Sequence, residues 1–303
     1  MYEQIAANKR KTALLFVGSI LFLVAVGYFV GRALGTGPIG IVIAFAIALV
    51  LSVSSYFYGD RLVLASTRAR EVSAEEAPRL HNVVEGLAIA AGVPKPRVWV
   101  VPEQAPNAFA TGRDPEHSSI AVTEGLLQMM NRVELEGVIG HEMSHIQDRD
   151  ILLGTVVATL VGAAVLLSEF FMRTWWWGGI GGRRSNNNNS GGGVIELVLL
   201  IVGFILIALA PLAGQIIKMS VSRNREYLAD AQGAMLTRYP PGLIAALQKI
   251  EAAPHAMRSA NNATAHLWLD QPSRFPGQQT GALERLFSTH PPIEDRIHRL
   301  QEM

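Results

Sequence analysis

The residue pattern with the clearest chemistry is His-Glu-x-x-His at residues 141–145. Side chains four residues apart lie on the same face of an α-helix, so the imidazoles of His141 and His145 can converge on one Zn²⁺ ion. Glu142 lies beside them, where it can act as the general base for an attacking water. Because short patterns also arise by chance, two unrelated histidines on one helix remain the alternative explanation of these residues alone.

A catalytic zinc requires a third protein ligand and one open coordination position. The best candidate is Glu226, which lies four residues before Asp230 on another predicted helix. Glu226 would complete a site of two histidines and one glutamate, and Asp230 would accept a hydrogen bond from a ligand histidine and fix its tautomer. Taken alone, these two acids are more typical of a solvated acidic face paired with Arg223 and Arg225.

Four long apolar runs indicate the class of protein. The chain has 303 residues, of which 50% are hydrophobic and 17% are charged. Each run is close to the roughly 20 residues that a helix needs to cross a bilayer. A cleaved signal peptide does not account for the first run, because a second uncharged run follows after a short loop. The runs are 13–31, 39–58, 151–171 and 194–217. They predict an integral membrane protein with about four transmembrane helices.

Lysine and arginine residues near the ends of these runs indicate their orientation. Basic clusters at 9–11, 61–70 and 218–225 fit one cytoplasmic side, whereas the loop at 32–38 carries a single arginine. The loop at 172–193 opposes this assignment, because it carries three arginines among runs of Trp, Asn and Gly. The majority of the basic residues therefore predicts that the polar regions face the cytoplasm.

The predicted fold class is α+β, with two membrane hairpins and two polar regions that form one catalytic domain. Two apolar runs separate His145 from Glu226, an even number of crossings, so both residues lie on the same side of the membrane. Since Arg149 and Asp150 directly precede the third run, we expect the zinc helix to continue into the bilayer. The predicted segments are 1–58 for the first hairpin, 59–150 for the first part of the domain, 151–217 for the second hairpin with its loop at 172–193, and 218–303 for the second part of the domain.

Local signals predict helices and short strands around the histidines. Ser-x-x-Glu at 73–76 and Asn-x-x-Glu at 131–134 are capping boxes, and the second one starts the helix that carries both histidines. Residues 98–101 and 119–123 predict strands, and the small residues at 107–112 are extended enough for another strand.

Several motifs occur in order along the chain, and together they resemble a known family. They are His141-Glu142-x-x-His145, Arg225-Glu226-x-x-Ala229-Asp230, Asn107-Ala-Phe-Ala-Thr-Gly112, Thr123-x-Gly125-Leu-Leu127, and Ser288-Thr289-His290-Pro291-Pro292 followed by Arg296. This set is similar to the HtpX family of membrane zinc endopeptidases, which are relatives of the CAAX-prenyl endopeptidases and of the mitochondrial stress protease OMA. The apolar runs also lie where the family has them, so the resemblance covers essentially the whole chain. The loop at 172–193 matches no family element.

The resemblance implies a gluzincin-like zinc protease domain next to the membrane, with one Zn²⁺ per chain. His141, His145 and Glu226 would be the zinc ligands. Glu142 would be the base that takes a proton from water and later returns it to the leaving amine.

Further roles follow from the same resemblance. His290 would stabilise the oxyanion of the tetrahedral intermediate, with Arg296 nearby as support, and Asp230 would bind a ligand histidine. An edge strand would hold substrate backbone by β-augmentation, which favours extended peptides over any one side chain. The substrate-binding residues of that strand would be Asn107, Ala108, Phe109, Ala110 and Thr111.

The function expected from the sequence is that of a membrane-embedded zinc-dependent endopeptidase with its site at the cytoplasmic face. By resemblance, its substrates would be misfolded or damaged membrane proteins, in the quality control and stress response of a bacterial or archaeal inner membrane. Its partners would be those substrates and the lipid bilayer, and the net charge of +1 gives no sign of nucleic-acid binding. One alternative is a protease whose site lies within the bilayer, although the charges around the motif are costly there. Another alternative is a non-proteolytic metal-binding membrane scaffold or transporter.

We predict that single cysteines introduced at Ser73 and Ser259 are shielded from an impermeant thiol reagent in intact cells, whereas one at Thr36 is labelled. The basic residues near the membrane ends put the first two positions in the cytoplasm and the third outside. The chain has no native cysteine, so the unmodified protein provides a clean background. Labelling at positions 73 and 259 without lysis would invert the predicted topology.

Overall fold

A computed structural model describes residues 2–33, 38–177, 223–253, 257, 264–269 and 291–303. The fourth apolar run, most of the loop at 172–193 and His290 lie outside the described residues. Within them, α-helices predominate and one small sheet is present, which agrees with the predicted α+β class.

The first two apolar runs form a pair of long helices. Helix α1 spans Tyr2–Ala33, helix α2 spans Pro38–Ser66, and the two pack against each other. Both extend past the apolar runs that predict them, α1 at its beginning and α2 at its end. Among the residues that the structure describes, α2 is the one helix both long and apolar enough to cross a membrane. Large apolar side chains of α2, such as Ile39 and Val42, are exposed.

A four-stranded sheet follows, and its strand order is β1-β2-β4-β3. Strands β2 and β4 are parallel, whereas β1 and β3 pair antiparallel with them at the two edges. The strands predicted at 98–101, 107–112 and 119–123 are therefore confirmed. The elements are β1 (Arg70–Glu71), β2 (Arg97–Val101), β3 (Ala108–Gly112) and β4 (Ser118–Thr123), with a 3₁₀ helix at Pro115–His117.

The capping box at 73–76 forms, but it does not open the helix as predicted. The Ser73 N–H donates to Glu76 Oε2 (2.9 Å) and the Glu76 N–H donates to Ser73 Oγ (3.3 Å). These bonds close a turn that precedes helix α3 (Pro78–Ala91). The helix itself begins at a proline, whose fixed φ suits the first helical position. It ends as predicted at Gly92, whose φ of 67° is left-handed.

Helix α5 (Arg132–Gln147) carries the two histidines and is mostly buried. Its predicted capping box is present, because Asn131 Oδ1 accepts from the Glu134 N–H (3.0 Å) and Glu134 Oε2 accepts from the Asn131 N–H (2.8 Å). A short helix α4 (Glu124–Met129) precedes it.

The core lies between the sheet and helices α3 and α5. Apolar residues from all three elements are almost fully buried and form one cluster. Among them are Leu80, Val84, Ile120, Leu135, Ile139 and Met143. This core fixes α5 against the sheet and thereby fixes the position of both histidines.

The zinc helix does not continue into the third apolar run, so that expectation is wrong. Helix α5 ends at Gln147, Arg149 adopts a left-handed φ of 58°, and a separate helix α6 (Asp150–Trp177) begins at the next residue. In an unbroken helix, residue 150 would lie about 140° around the axis from residue 145, since each residue turns about 100°. The break instead returns Asp150 to the side of His145, where the two side chains meet.

The remaining helices pack around α5 and complete its surroundings. Helix α5 contacts both α7 (Arg223–Thr237) and α8 (Pro240–Ala252) over many residues, and α9 (Ile293–Gln301) packs against these two helices. A further 3₁₀ helix spans Ala265–Leu267.

Glycines allow α5 and α7 to approach closely at the level of the histidines. A Cβ atom at Gly233 would lie 2.7 Å from the backbone nitrogen of His141, and one at Gly140 would lie 3.1 Å from the backbone oxygen of Gly233. No side chain fits between backbones at these distances. The absence of a side chain at Gly233 therefore sets how near α7 comes to the first histidine.

We predict that Gly233→Ala weakens metal binding and lowers the free energy of unfolding by about 1–3 kcal/mol, as overpacking of a close contact does. The added methyl group must push α7 away from α5, which separates their facing side chains. Gly86→Ala in α3 is the matched control, because a Cβ there meets nothing within 4 Å. It should leave metal binding unchanged and stabilise the helix by about 0.5–1 kcal/mol. Equal metal affinity in both variants, measured by chelator competition, would contradict this role of the glycine.

Candidate metal centre

Three side chains from two helices bring their donor atoms to one point. His141 Nε2 lies 3.2 Å from His145 Nε2. Glu226 Oε2 lies 3.7 Å from the first of these nitrogens, and its Oε1 lies 3.8 Å from the second. One donor atom from each residue falls within 4.8 Å of the others. The structure thus brings together the three residues that the sequence predicts as metal ligands.

This arrangement fits a divalent cation. In a tetrahedral zinc site, bonds of about 2.0–2.1 Å place neighbouring donor atoms about 3.4 Å apart. The separations given above lie on both sides of that value. Two imidazole nitrogens and one carboxylate are also the donor set of many catalytic zinc sites. The residues present therefore fit the metal by both spacing and chemistry.

The outer nitrogen of His141 is bound to a carboxylate, which fixes the direction of the ring. His141 Nδ1 lies 2.9 Å from Asp230 Oδ1, and both side chains are buried. Because Asp230 accepts, Nδ1 carries the proton and Nε2 presents its lone pair to the donor cluster. Asp230 therefore sets the tautomer of the histidine, the geometry expected from the sequence.

Asp230 is kept ionised by a buried arginine. Arg296 donates from Nε to Asp230 Oδ2 (2.8 Å) and from Nη2 to Oδ1 (2.6 Å), a two-point contact. Burial opposes the ionisation of Asp230, but the charge and hydrogen bonds of Arg296 outweigh burial and lower the pKa of Asp230 to about 2. Arg296 Nη1 also donates to the backbone oxygen of Leu269 (2.9 Å). Arg296, expected as support for His290, thus contacts the carboxylate that orients His141.

The second histidine has a carboxylate partner of its own. His145 Nδ1 lies 3.2 Å from Asp150 Oδ2, the first residue of α6. Burial opposes protonation of His145, but the hydrogen bond with Asp150 and the carboxylates of Glu226 and Glu142 outweigh burial and raise its pKa to about 9. The carboxylates around His145 require a positive charge near them, which a proton on its imidazole or a metal ion supplies.

Glu142 is almost fully buried beside the cluster and lines the same cleft as the two histidines. Burial raises its pKa above the ordinary range of a glutamate, although the two histidines oppose this rise. A carboxyl group with a raised pKa is suited to proton transfer near neutral pH, because it can both accept and return a proton. The site therefore has a candidate base in the position that the sequence predicts.

Strand β3 lies at one edge of the sheet next to this cleft, and most of its residues have structural contacts. Phe109 is fully buried and its ring packs edge-to-face against Trp268, with centroids 4.6 Å apart. Thr111 Oγ1 lies 2.8 Å from Thr155 Oγ1 on α6. Asn107 Oδ1 accepts from the Ala108 N–H (3.0 Å). These three side chains therefore hold the strand in place.

The outward backbone groups of β3 are partly occupied as well. Residues 107, 109 and 111 bond to β4, so Ala108, Ala110 and Gly112 direct their N–H and C=O groups away from it. The Ala108 oxygen accepts from the Leu269 N–H (2.9 Å), and the Gly112 N–H donates to Thr155 Oγ1 (3.1 Å). Ala110 lines the same cleft as His141, His145 and Glu226. Of the five residues predicted to bind substrate, Ala110 is the one that lines the cleft.

Two features of the site were not predicted from the sequence. The sequence places Asp150 directly before an apolar run and predicts one carboxylate acceptor, Asp230. Two ligand histidines need two acceptors for their outer N–H groups, and this requirement is the signal for a second acid near His145. The segment 264–269, which lines the cleft and bonds to β3, carries no local signal of this role.

Comparison with known proteins agrees with the geometry. The model of peptidase family M48 matches residues 74–303. The chain belongs to this family. It is 47% identical to "Protease HtpX homolog" of Thermoanaerobacter pseudethanolicus, over 100% of this chain and 98% of that protein. It is 49% identical to the protein of the same name from Caldanaerobacter subterraneus, with the same coverage. The resemblance to HtpX proteases is therefore confirmed.

A solved structure shares the fold of this M48 peptidase. The crystal structure of S. mikatae Ste24p matches 99% of this chain and 67% of that chain with a TM-score of 0.50 and 18% identity. The family assignment makes the protein a metallopeptidase, and thus a hydrolase. The His-His-Glu cluster lies inside the matched region, where a metallopeptidase requires a metal ion.

We predict that the purified protein binds about one zinc ion per chain and that binding is lost or much weakened in His141→Ala, His145→Ala and Glu226→Ala. Each substitution removes one of three converging donors. Elemental analysis of the dialysed proteins measures this, with Asp148→Asn as a control. Asp148 caps the same helix but contributes no atom to the cluster. Full zinc occupancy in Glu226→Ala would remove that residue from the ligand set.

Proposed function

We propose that this M48 peptidase is a membrane-embedded, zinc-dependent endopeptidase. The observation that carries the proposal is the convergence of His141, His145 and Glu226 beside the buried Glu142, in a cleft bordered by an edge strand. A mixed imidazole and carboxylate set is typical of catalytic zinc, whereas magnesium and calcium prefer oxygen donors alone. Zinc held by His141, His145 and Glu226 would supply a pKa of about 7 for water and polarisation of the substrate carbonyl group.

The chain's own residues would divide the proton chemistry between them. Glu142 would take a proton from the attacking water and give it to the leaving amine, since its raised pKa suits both transfers. His290 would donate a hydrogen bond to the oxyanion that develops on the substrate. Asp230 and Asp150 would keep the two histidines in the correct tautomer while this proceeds.

Substrate would bind as an extended peptide along β3. The backbone of Ala110 is directed away from β4 and lines the cleft, so a peptide strand could bond there next to the metal. Backbone contacts of this kind select substrates that are unfolded, and they depend little on the amino-acid sequence of the substrate. This supports misfolded or damaged membrane proteins as the substrate class, the class that the resemblance to the HtpX family implies.

The membrane part of the proposal consists of four transmembrane helices with the site facing the cytoplasm. The apolar helix α2 and the fold shared with Ste24p support a membrane location. The even number of apolar runs between the histidines and Glu226 supports placement of all three ligands on one side. Charged residues on α5, such as Glu134 and Glu136, favour a site beside the bilayer over a site within it. We place the protein in a bacterial or archaeal inner membrane.

We predict that Glu142→Gln lowers the rate of proteolysis by about 10²–10⁴-fold while zinc binding is kept. Glutamine retains the size of the side chain but cannot accept the proton. The matched control is Glu136→Gln on the same helix, where the carboxylate pairs with Arg132 at the surface (2.9 Å). Cleavage of a membrane-protein substrate in detergent or liposomes measures the rates. If Glu142→Gln cleaves at a rate near wild type, the proposed mechanism is wrong.

A further inference from the structure

The N-terminal part of helix α1 reaches the metal centre. Asn8 lies in the polar first part of α1, before the apolar run, and is only 3% exposed. Its Nδ2 donates to Asp150 Oδ1, and its Oδ1 accepts from Arg225 Nη1 at 3.1 Å. An amide at this position therefore uses its donor and its acceptor at the same time.

Both partners of Asn8 are adjacent in the chain or in space to the proposed metal ligands. The second oxygen of Asp150, Oδ2, lies 3.2 Å from His145 Nδ1. Arg225 directly precedes Glu226 and also contacts Asp150 Oδ1 (3.4 Å). The two oxygens of the Asp150 carboxylate thus have different partners. Oδ2 faces His145, and Oδ1 accepts from Asn8 and Arg225.

The contacts of Asn8 and Arg225 with Oδ1 constrain rotation of the Asp150 carboxylate. With Oδ1 held by two donors, Oδ2 stays directed at the histidine ring, and the ring stays directed at the donor cluster. Without Asn8, the one hydrogen bond that the described residues still offer to Oδ1 comes from Arg225 at 3.4 Å, which is too long to fix the carboxylate. Groups that orient a ligand in this way commonly change metal affinity by 10–100-fold when removed.

We infer that Asn8 is a positioning residue of the metal centre, which acts on His145 through Asp150. The inference rests on the proposed metal site and deepens it. Helix α1 then has a second role besides anchoring the protein in the membrane. Its first turns help to orient His145, which lies more than a hundred residues later in the chain.

The test is zinc affinity in the full-length protein, measured by competition with a chelator of known affinity. We expect Asn8→Leu, which keeps the approximate size but removes both hydrogen bonds, to weaken zinc binding by about 10–100-fold. Thr12→Val is the matched control. Thr12 is buried on the same face of α1, but within the described part of the chain its hydroxyl bonds only to the backbone oxygen of Asn8 (3.0 Å). It should bind zinc like the wild type.

Two further measurements separate positioning from a general structural role. Excess zinc should restore proteolysis in Asn8→Leu, because the loss lies in metal affinity, whereas a folding defect would not be rescued. In a double-mutant cycle, Asn8→Leu should have almost no further effect once Asp150→Ala is present. Should Asn8→Leu fail to insert, Asn8→Asp keeps the shape, loses the donor and faces Asp150 with a second carboxylate, and is used in its place.

Wild-type zinc affinity in the Asn8 variant, or full additivity with Asp150→Ala, overturns the inference but leaves the proposed function intact. A wild-type protein that binds no zinc overturns the proposed function instead, and the inference with it.

Discussion

The pairing of each proposed ligand histidine with a carboxylate is the interaction on which the site depends. A histidine can present Nε2 to a metal only if Nδ1 holds the proton, and inside a protein that proton needs an acceptor. Asp230 serves His141 and Asp150 serves His145. These acids lie on two other helices, so the requirement extends beyond α5. It accounts for the close approach at Gly233 and for the helix break at Arg149.

The sequence predicts the helical spacings that this site requires, but it does not predict the contact between His145 and Asp150. Residues four apart on a helix share a face, so the pairs 141/145 and 226/230 are visible as spacings. The partner of His145 is five residues away, and only a broken helix brings it back. A left-handed arginine is not a pattern that composition reveals. The box at 73–76 illustrates the reverse case, since the same hydrogen bonds close a turn when a proline sets the helix start further on.

The hydrogen-bond partners of the edge strand β3 are a second feature that local sequence patterns do not predict. Its small residues predicted an extended segment, and the segment is extended. Which of its backbone groups are accessible depends on residues far away in the chain, including Thr155 and Leu269. No signal near residue 108 indicates that its carbonyl already has a donor. The sequence therefore predicts an extended strand, whereas the fold shows which residue of that strand lines the cleft, namely Ala110.

Leu269 connects this strand to the metal centre by its backbone. Its N–H donates to Ala108 on β3, and its carbonyl accepts from Arg296, which holds the carboxylate behind His141. A peptide that displaces Leu269 from the strand therefore also changes an acceptor of that arginine. Occupancy of the strand and affinity for the metal are then thermodynamically linked. Such linkage is reciprocal: if the peptide alters metal binding by some factor, the metal alters peptide binding by the same factor.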